Sequence, residues 1–328
     1  MQQTVSGTIL MMYIAKREDR WMNTPNIYLP YRFYGFDPET LEKKLLSDLL
    51  SYNRIETDRV TAAWKPLPWD SQHFGLKMLE LTYFIAEETA SHEDRRIVAE
   101  RLHKDWRGYE HATARINAFD IVSAQLVERS GFSLMDTNVK YGIDLRKAPV
   151  KEFDGSKLEH EGVTYEVVHC PCDRPELINI AKTSWSKTKV AIDRFHADRN
   201  LPEQLADSVY TEWLRNSLTG SRADYVIVPK VGGKAAGFLT LKEQADRVED
   251  VNFGLLVLAA VDPAMRGKNI YTNMISLGLR VLKRKTEIAE TGTQITNYPV
   301  QKAWVQLGLK QVSTTYVFHK WLEQGSKT

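Results

Sequence analysis

Apolar and polar positions follow their clearest pattern in the second half of the chain. VTYEVV (163–168), DYVIV (224–228), AAGFLTL (235–241) and NFGLLVLAAV (252–261) combine short apolar runs or period-two alternation with β-branched residues, and so predict strands. Apolar positions recurring every three or four residues predict helices near 175–185, 202–217, 270–285 and 299–307, with further strands near 288–293 and 310–321. Three successive strands over 224–261 predict an antiparallel meander, and the strand that arrives only after the next helix is expected to run parallel to its predecessor. The fold class is therefore α/β (α+β): a mixed, mostly antiparallel sheet flanked by helices.

The first half is less regular. A helix is predicted at 38–50, LPWDSQHFGLKMLELTYFIA (67–86) reads as a turn followed by a strand, and a charged helix is predicted at 93–106. The polar segment KAPVKEFDGSKLEHEG (147–162), with Pro149, Gly155 and Gly162, predicts a boundary between domains at 1–150 and 151–328. Asp120 to Gly131-Phe132 spans the same interval as Asn297 to Gly308-Leu309, and an alternating strand follows each. One unit is read as used twice.

Composition narrows the classes. Hydrophobic residues make up 43% and charged residues 26%, as in ordinary globular proteins, and 44 Lys plus Arg against 42 Asp plus Glu leave a net charge of +2. That balance argues against a protein living on nucleic acid or on an anionic membrane. No apolar run reaches the ~20 residues that span a bilayer. SGTILMMYIA lacks a small-residue cleavage site and is followed by Lys16, Arg17, Glu18, Asp19 and Arg20, so no signal peptide is read and the cytoplasm is expected. Cys170 and Cys172, the only cysteines, flank one proline; that spacing disfavours a bridge, and without a second ligand pair a strand-end structural role is expected rather than a metal.

The stretch LAAVDPAMRGKNIYTNMISLGLRVL (258–282) concentrates the candidate chemistry. A strand ending in a turn that opens a helix presents backbone N–H groups without intrahelical partners, and the helix dipole adds to their positive field. Gly267 permits close approach, Asn269 tolerates unusual backbone angles, and Arg266 and Lys268 supply charge, which suits a phosphate group. The same residues suit a solvated helix start whose basic side chains cap a surface turn. The first half has no equivalent of RGKN, so a ligand here is expected in the second half alone.

Val261-Asp262-Pro263, Arg266-Gly267-Lys268 and the helix that follows resemble the GNAT superfamily of acyl-CoA N-acyltransferases, whose donor signature is Arg or Gln, two residues, Gly, one residue, then Gly or Ala. Here Asn269 and Tyr271 stand at its two small positions. With RFHAD, Tyr210, Trp213, GFLTL, TQ and FHKWL in order, the region 175–322 is similar to the branch that acylates nucleotide-linked amino-deoxysugars, such as TDP-fucosamine. LPWDSQHFG and the repeat around ERSGF agree with that branch, in which a truncated GNAT-like half precedes the donor-binding domain.

The resemblance implies acyl-coenzyme A as co-substrate, held by Ala260, Val261, Arg266, Gly267, Lys268, Asn269, Ile270, Tyr271, Asn297 and Trp304, with no metal. It also implies a place in lipopolysaccharide or O-antigen biosynthesis. Family members often carry a proton-donating tyrosine seven residues after the asparagine, where Trp304 stands here. Tyr298 or Tyr316 is then the alternative donor, or the thiolate leaves unassisted after direct attack by the amine. The acceptor is expected on VAIDRFHADRNLP (190–202), where Arg194, Phe195, His196, Asp198 and Arg199 suit a nucleotide diphosphate and sugar hydroxyls, with Gln294 nearby and His196 as candidate base; a helix-capping loop is the competing reading. Trp185, Trp213 and Trp321 are read as core. Other acceptors (a protein N-terminus, a polyamine, an antibiotic), a catalytically degenerate scaffold, a chain of acyl length beyond acetyl such as hydroxybutyryl, and a homodimer remain alternatives at this level.

Overall fold

A computed structural model describes residues 33–87, 89–153, 155, 157–185 and 193–322. The reading of the chain start and the first part of the expected acceptor loop lie outside these residues. Contacts divide the described residues into two units, the first made of 33–71, 76–134 and 316–322, the second of 72–75 and 135–315.

In the first unit, helix α1 (Pro38–Leu50) begins where the Asp37 side chain accepts a hydrogen bond from Thr40 N at 2.9 Å, and it covers the predicted span. Strands β1 (Asn53–Glu56), β2 (Val60–Pro66) and β3 (Met78–Ala86) pair antiparallel in succession. Helix α2 (Pro68–Phe74) stands between β2 and β3, where a turn was expected; seven residues are too few for a helical period to show in the sequence. Helix α3 (His92–Asp105) crosses to β4 (His111–Asn117), which lies parallel to β3, and α4 (Ile121–Arg129) follows. Val98 and Leu102 of α3 and Leu126 and Val127 of α4 share a buried cluster with Leu79, Leu81 and Ala112 of the strands. Leu41, Leu45 and Leu49 of α1 bury against Ala63 and Ile85 in a separate cluster.

The second unit takes in most of β5 (Ser133–Asp144), the hairpin β6 (Lys157–His160) and β7 (Val163–His169), and helices α5 (Pro175–Trp185), α6 (Arg194–Ala197) and α7 (Glu203–Leu218). After them come β8 (Tyr225–Val231), the short β9 (Lys234–Ala235), β10 (Gly237–Val248) and β11 (Val251–Val261). Helix α8 (Ile270–Leu282), β12 (Ile288–Gln294), α9 (Tyr298–Gln306) and β13 (Lys310–Trp321) complete the chain. β8, β10 and β11 form the predicted antiparallel meander, β12 is parallel to β11, and β5 is antiparallel to β12 over seven residue pairs. Buried residues of α8, including Met274, Leu277, Val281 and Leu282, pack on one face with Ile227, Leu239 and Leu256; Leu177 of α5 and Leu214 of α7 pack on the other with Val226, Phe238 and Leu258. Each fully buried side chain of this kind stabilises by roughly 1.5–3 kcal/mol relative to exposure.

The division departs from the boundary expected at 150. Strand β5 pairs with β12, so residues from Met135 fall in the second unit, whereas residues from Tyr316 fall in the first. A polar loop marks where the chain runs on the surface, not where sheet contacts divide.

The two units repeat one plan. β1, β2, β3, α3, β4 and α4 match β8, β10, β11, α8, β12 and α9 in order and in strand sense. Gly131 ends α4 at φ +86° and Gly308 ends α9 at φ +88°, a left-handed helix exit that glycine adopts without steric cost. A bulge recurs as well: Thr82 is the extra residue in β3 opposite β2, and Val257 the extra residue in β11 opposite β10. Among the described residues, no helix is long and apolar enough to cross a membrane.

Candidate active site

The start of α8 is open. After Val261 the Asp262 carboxylate accepts from Ala264 N at 2.9 Å and shapes a single 3-10 turn, Pro263–Met265. Gly267 then takes φ +82° and Asn269 φ +54°, so the chain bends sharply before Ile270, which is 2% exposed, anchors the helix in the core. Asn269 stands at the cap position without a side-chain hydrogen bond, and no acidic residue lies in the first turn. Among the described residues no side chain caps the leading N–H groups of α8, which have no intrahelical partners, beneath a turn in which Arg266, Gly267, Lys268 and Asn269 are all exposed.

The matching helix of the first unit is closed. Ser91 Oγ accepts from Asp94 N at 3.1 Å, Asp94 Oδ2 accepts from Ser91 N at 2.8 Å, and Glu93 adds a second acid to the first turn. These carboxylates satisfy the helix end and would repel an anion. One scaffold thus offers a sealed and an unsealed helix start within the same chain.

Strands β11 and β12 part beside the open turn. Their ladder runs from Phe253–Ile288 to Leu255–Glu290 and stops there, although β11 continues to Val261 and β12 to Gln294. Past that point the Thr291 hydroxyl donates to Leu256 O at 3.1 Å. On its other edge β11 stays paired, with Ala260 opposite Phe238 and Val261 opposite Gly237. A side chain at Gly237 would put its Cβ 2.5 Å from Ala260 O, so only glycine lets β10 lie this close.

Around the gap, Asn297 Nδ2 donates to Thr293 Oγ1 at 2.9 Å, and Thr293 Oγ1 donates to Gln294 Oε1 at 3.3 Å. Trp304 is 2% exposed and packs against Tyr141 with ring centroids 5.4 Å apart, while its Nε1 donates to the Tyr271 hydroxyl at 3.1 Å. Burial raises the Tyr271 phenol above its ordinary range, so it stays protonated. Tyr298 is 70% exposed at the start of α9, and Tyr316 falls in the first unit, where it packs near Phe318. Of the two tyrosines considered as proton donors, the second unit contains Tyr298 alone.

The expected acceptor residues cluster about α6. Asp193 Oδ1 accepts from the backbone N of Phe195 and of His196, and its Oδ2 meets His196 Nδ1 at 2.9 Å. His196 Nε2 meets Asp207 Oδ1 of α7 at 3.1 Å. Hydrogen bonding to Asp193 and then to Asp207 pushes the imidazole up to about 9, so the ring carries both protons at neutral pH and has no lone pair free to act as a base. His196 is a charged clamp between α6 and α7. The Arg194 guanidinium lies 4.0 Å from the centroid of Phe195, and Phe195 stacks on Phe74 at 5.5 Å. Asp198, 2% exposed, accepts from Asn200 N at 3.1 Å within the loop, but α7 begins after Pro202 without a side-chain cap, so neither Asp198 nor Asn200 caps that helix as the competing reading had it; Asp193 caps α6 instead.

Reading the sequence alone missed Asp193, Asp207 and Asp136 at this cluster, as well as His73, whose Nε2 lies 2.8 Å from Leu205 O. The i, i+3 spacing of Asp193 and His196 was the available signal; Asp136 and His73 come from distant segments and gave none. Cys170 and Cys172 lie beyond the end of β7 with sulfurs 4.0 Å apart, and burial pushes the Cys170 thiol up to about 12, which fits a structural strand end. Trp185 stacks on Tyr210 at 4.9 Å in the cluster beneath α5 and α7, as expected for core.

No family model matches the sequence. SpsD, a spore coat polysaccharide biosynthesis protein of Bacillus subtilis, is 28% identical over 152 residues, covering 46% of this chain and 48% of that protein. The match thus spans about half the length of that relative. A tandem GNAT protein from the clavulanic acid biosynthesis pathway superposes with a TM-score of 0.52 at 14% identity, over 82% of this chain and 80% of that one. A GCN5-related N-acetyltransferase from Sphaerobacter thermophilus gives a TM-score of 0.55 at 12% identity over 93% of both chains. With a mixed sheet flanked by helices and one plan used in both units, the chain has the GNAT fold in a tandem arrangement.

Proposed function

We propose that this protein is an acyl-CoA-dependent N-acyltransferase whose donor site lies at the start of α8 and whose acceptor is the amino group of a nucleotide-linked, TDP-type amino-deoxysugar. The observation that carries the donor reading is the unsealed start of α8 beside parting strands, set against the self-capped start of α3 in the same chain. The diphosphate of coenzyme A would accept from the leading N–H groups of α8, with Arg266 and Lys268 adding charge. Its thioester arm would follow the gap past Ala260 and Val261, where main-chain N–H groups polarise the carbonyl oxygen. Asn297 would border that arm.

The likeness over half its length to a polysaccharide biosynthesis protein favours a sugar acceptor. An amine on a sugar ring attacks the thioester directly once neutral, and a thiolate is a tolerable leaving group, so the residues need chiefly to align the two reactants. The transferred group is acetyl or a short hydroxyacyl such as 3-hydroxybutyryl.

Mass spectrometry after incubation with TDP-amino sugars and acyl thioesters tests the reaction, and thermal shift with acetyl-CoA tests the donor site. Ligands that bind only the native state raise Tm. No shift with acetyl-CoA would refute the assignment.

A further inference from the structure

Strands β5 and β12 share a polar face that the steps above leave unused. Val139, Tyr141 and Ile143 of β5 join the buried cluster beneath α8, so alternation turns Asp136, Asn138 and Lys140 to the opposite face. Pairing sets Gln294 opposite Asn138 and Gly292 opposite Lys140. On β8, β10 and β11 that same face is covered through apolar residues such as Val226, Phe238 and Leu258. Here it is polar, and Gly292, in an interior strand, is exposed. A glycine at such a place marks close approach by another group.

Asp136 heads the row. Asn138 Nδ2 donates to its Oδ2 at 3.1 Å, and the Asp193 carboxylate and Arg194 guanidinium act on it from α6. Asp193 is engaged by two backbone N–H groups and by His196, which also binds Asp207. Among the described residues, Asp136, Asp193 and Asp207 stand with Arg194 and His196⁺, three acids to two cations. Burial pushes the Asp136 carboxyl up to about 6, with Asp193 adding to the rise and Arg194 opposing it.

We propose that Asp136 receives the acceptor amine as its ammonium ion and takes its proton, while the polyhydroxylated ring lies along Asn138, Gly292 and Gln294. This rests on the acyl-transfer reading. One proton passes from nitrogen to the carboxylate, and the freed lone pair attacks the thioester carbon. The C–N bond forms, the C–S bond breaks with its electron pair going to sulfur, and the remaining proton of the attacking nitrogen that must leave goes to the thiolate. Asp136 then returns its proton to solvent.

The full chain is assayed with acetyl-CoA, TDP-fucosamine and its amine-free counterpart TDP-fucose. Asp136→Asn is expected to lower kcat at pH 7 about a hundredfold or more, to shift the acid-side decline of the rate from about pH 6 up to the higher pKa of the amine itself, and to leave the acetyl-CoA thermal shift unchanged. Binding of TDP-fucosamine should weaken about tenfold or more in the same variant while TDP-fucose binding holds, and Asp136→Glu should restore part of the loss. Equal loss for both sugars, loss for neither, or a wild type that binds neither overturns the proposal. A wild type that binds TDP-fucosamine in this Asp136-dependent way yet shows no acetyl-CoA shift refutes acyl transfer and leaves the ammonium site standing.

Discussion

The Trp304 indole N–H donates to the Tyr271 phenolic oxygen over 3.1 Å and ties α9 to the first turn of α8. Removing either partner strands a buried polar group. Tyr271→Phe or Trp304→Phe should each lower stability by about 1–3 kcal/mol, and the double variant should cost less than the sum, because it leaves no orphan. Urea unfolding of the three variants measures the coupling. Strict additivity would show that the bond carries no net energy.

The turn makes a second prediction from the contrast with Ser91 and Asp94. Asn269→Asp places an acid at the helix start as α3 has one, and should weaken acyl-CoA binding about tenfold while leaving stability unchanged or slightly raised. Arg266→Ala and Lys268→Ala should each weaken binding with a shallower salt dependence than wild type. Titration calorimetry at low and moderate salt reads both effects.

His196 predicts a pH-dependent stability. Its folded value, raised to about 9, exceeds the unfolded reference of about 6.5, so the contribution is complete below the lower value and is lost as pH rises through the upper one. With the ring partly exposed, the loss between those limits should be on the order of 1–2 kcal/mol. Urea midpoints for wild type should fall across this window, and those of His196→Gln should fall less.

Tyr298 stands exposed, and Tyr316 belongs to the first unit. Direct attack by the amine therefore predicts that Tyr298→Phe and Tyr316→Phe each retain kcat within about tenfold of wild type. A loss above about a thousandfold, some 4 kcal/mol, in either variant would assign that hydroxyl the proton and refute unassisted departure of the thiolate.

Gly237→Ala drives a methyl group against Ala260 O, a backbone atom that cannot swing aside. It should destabilise by about 2–4 kcal/mol, more than an ordinary surface change, and lower acyl-CoA affinity by shifting the strand beside the gap. Thermal melts with and without acetyl-CoA separate the two effects.

Several features were legible in the sequence because their physics is local. The meander, the parallel β12, the turn at Gly267 and the repeat from Asp120 and from Asn297 all rest on alternation, helical period or glycine at a helix exit. The helix at α2 was hidden by its length, and the division of β5 and β13 depends on pairing between distant segments. The acceptor cluster was half legible. Arg194, His196 and Asp198 stood out by chemistry, but the carboxylate that closes on His196 from α7, and Asp136 on β5, become neighbours only through tertiary structure. His196 itself was read as a candidate base, and two flanking acids turn it into a cation.

An unsealed helix start also has a consequence for motion. Where α3 supplies its own cap, α8 would borrow one from the donor's diphosphate, so the leading turn of α8 should open more readily than the rest of that helix when the donor is absent. Deuterium would then enter the amides of residues 270–272 quickly in the free protein and slowly once the carrier is bound, while those at the start of α3 keep the same rate in both.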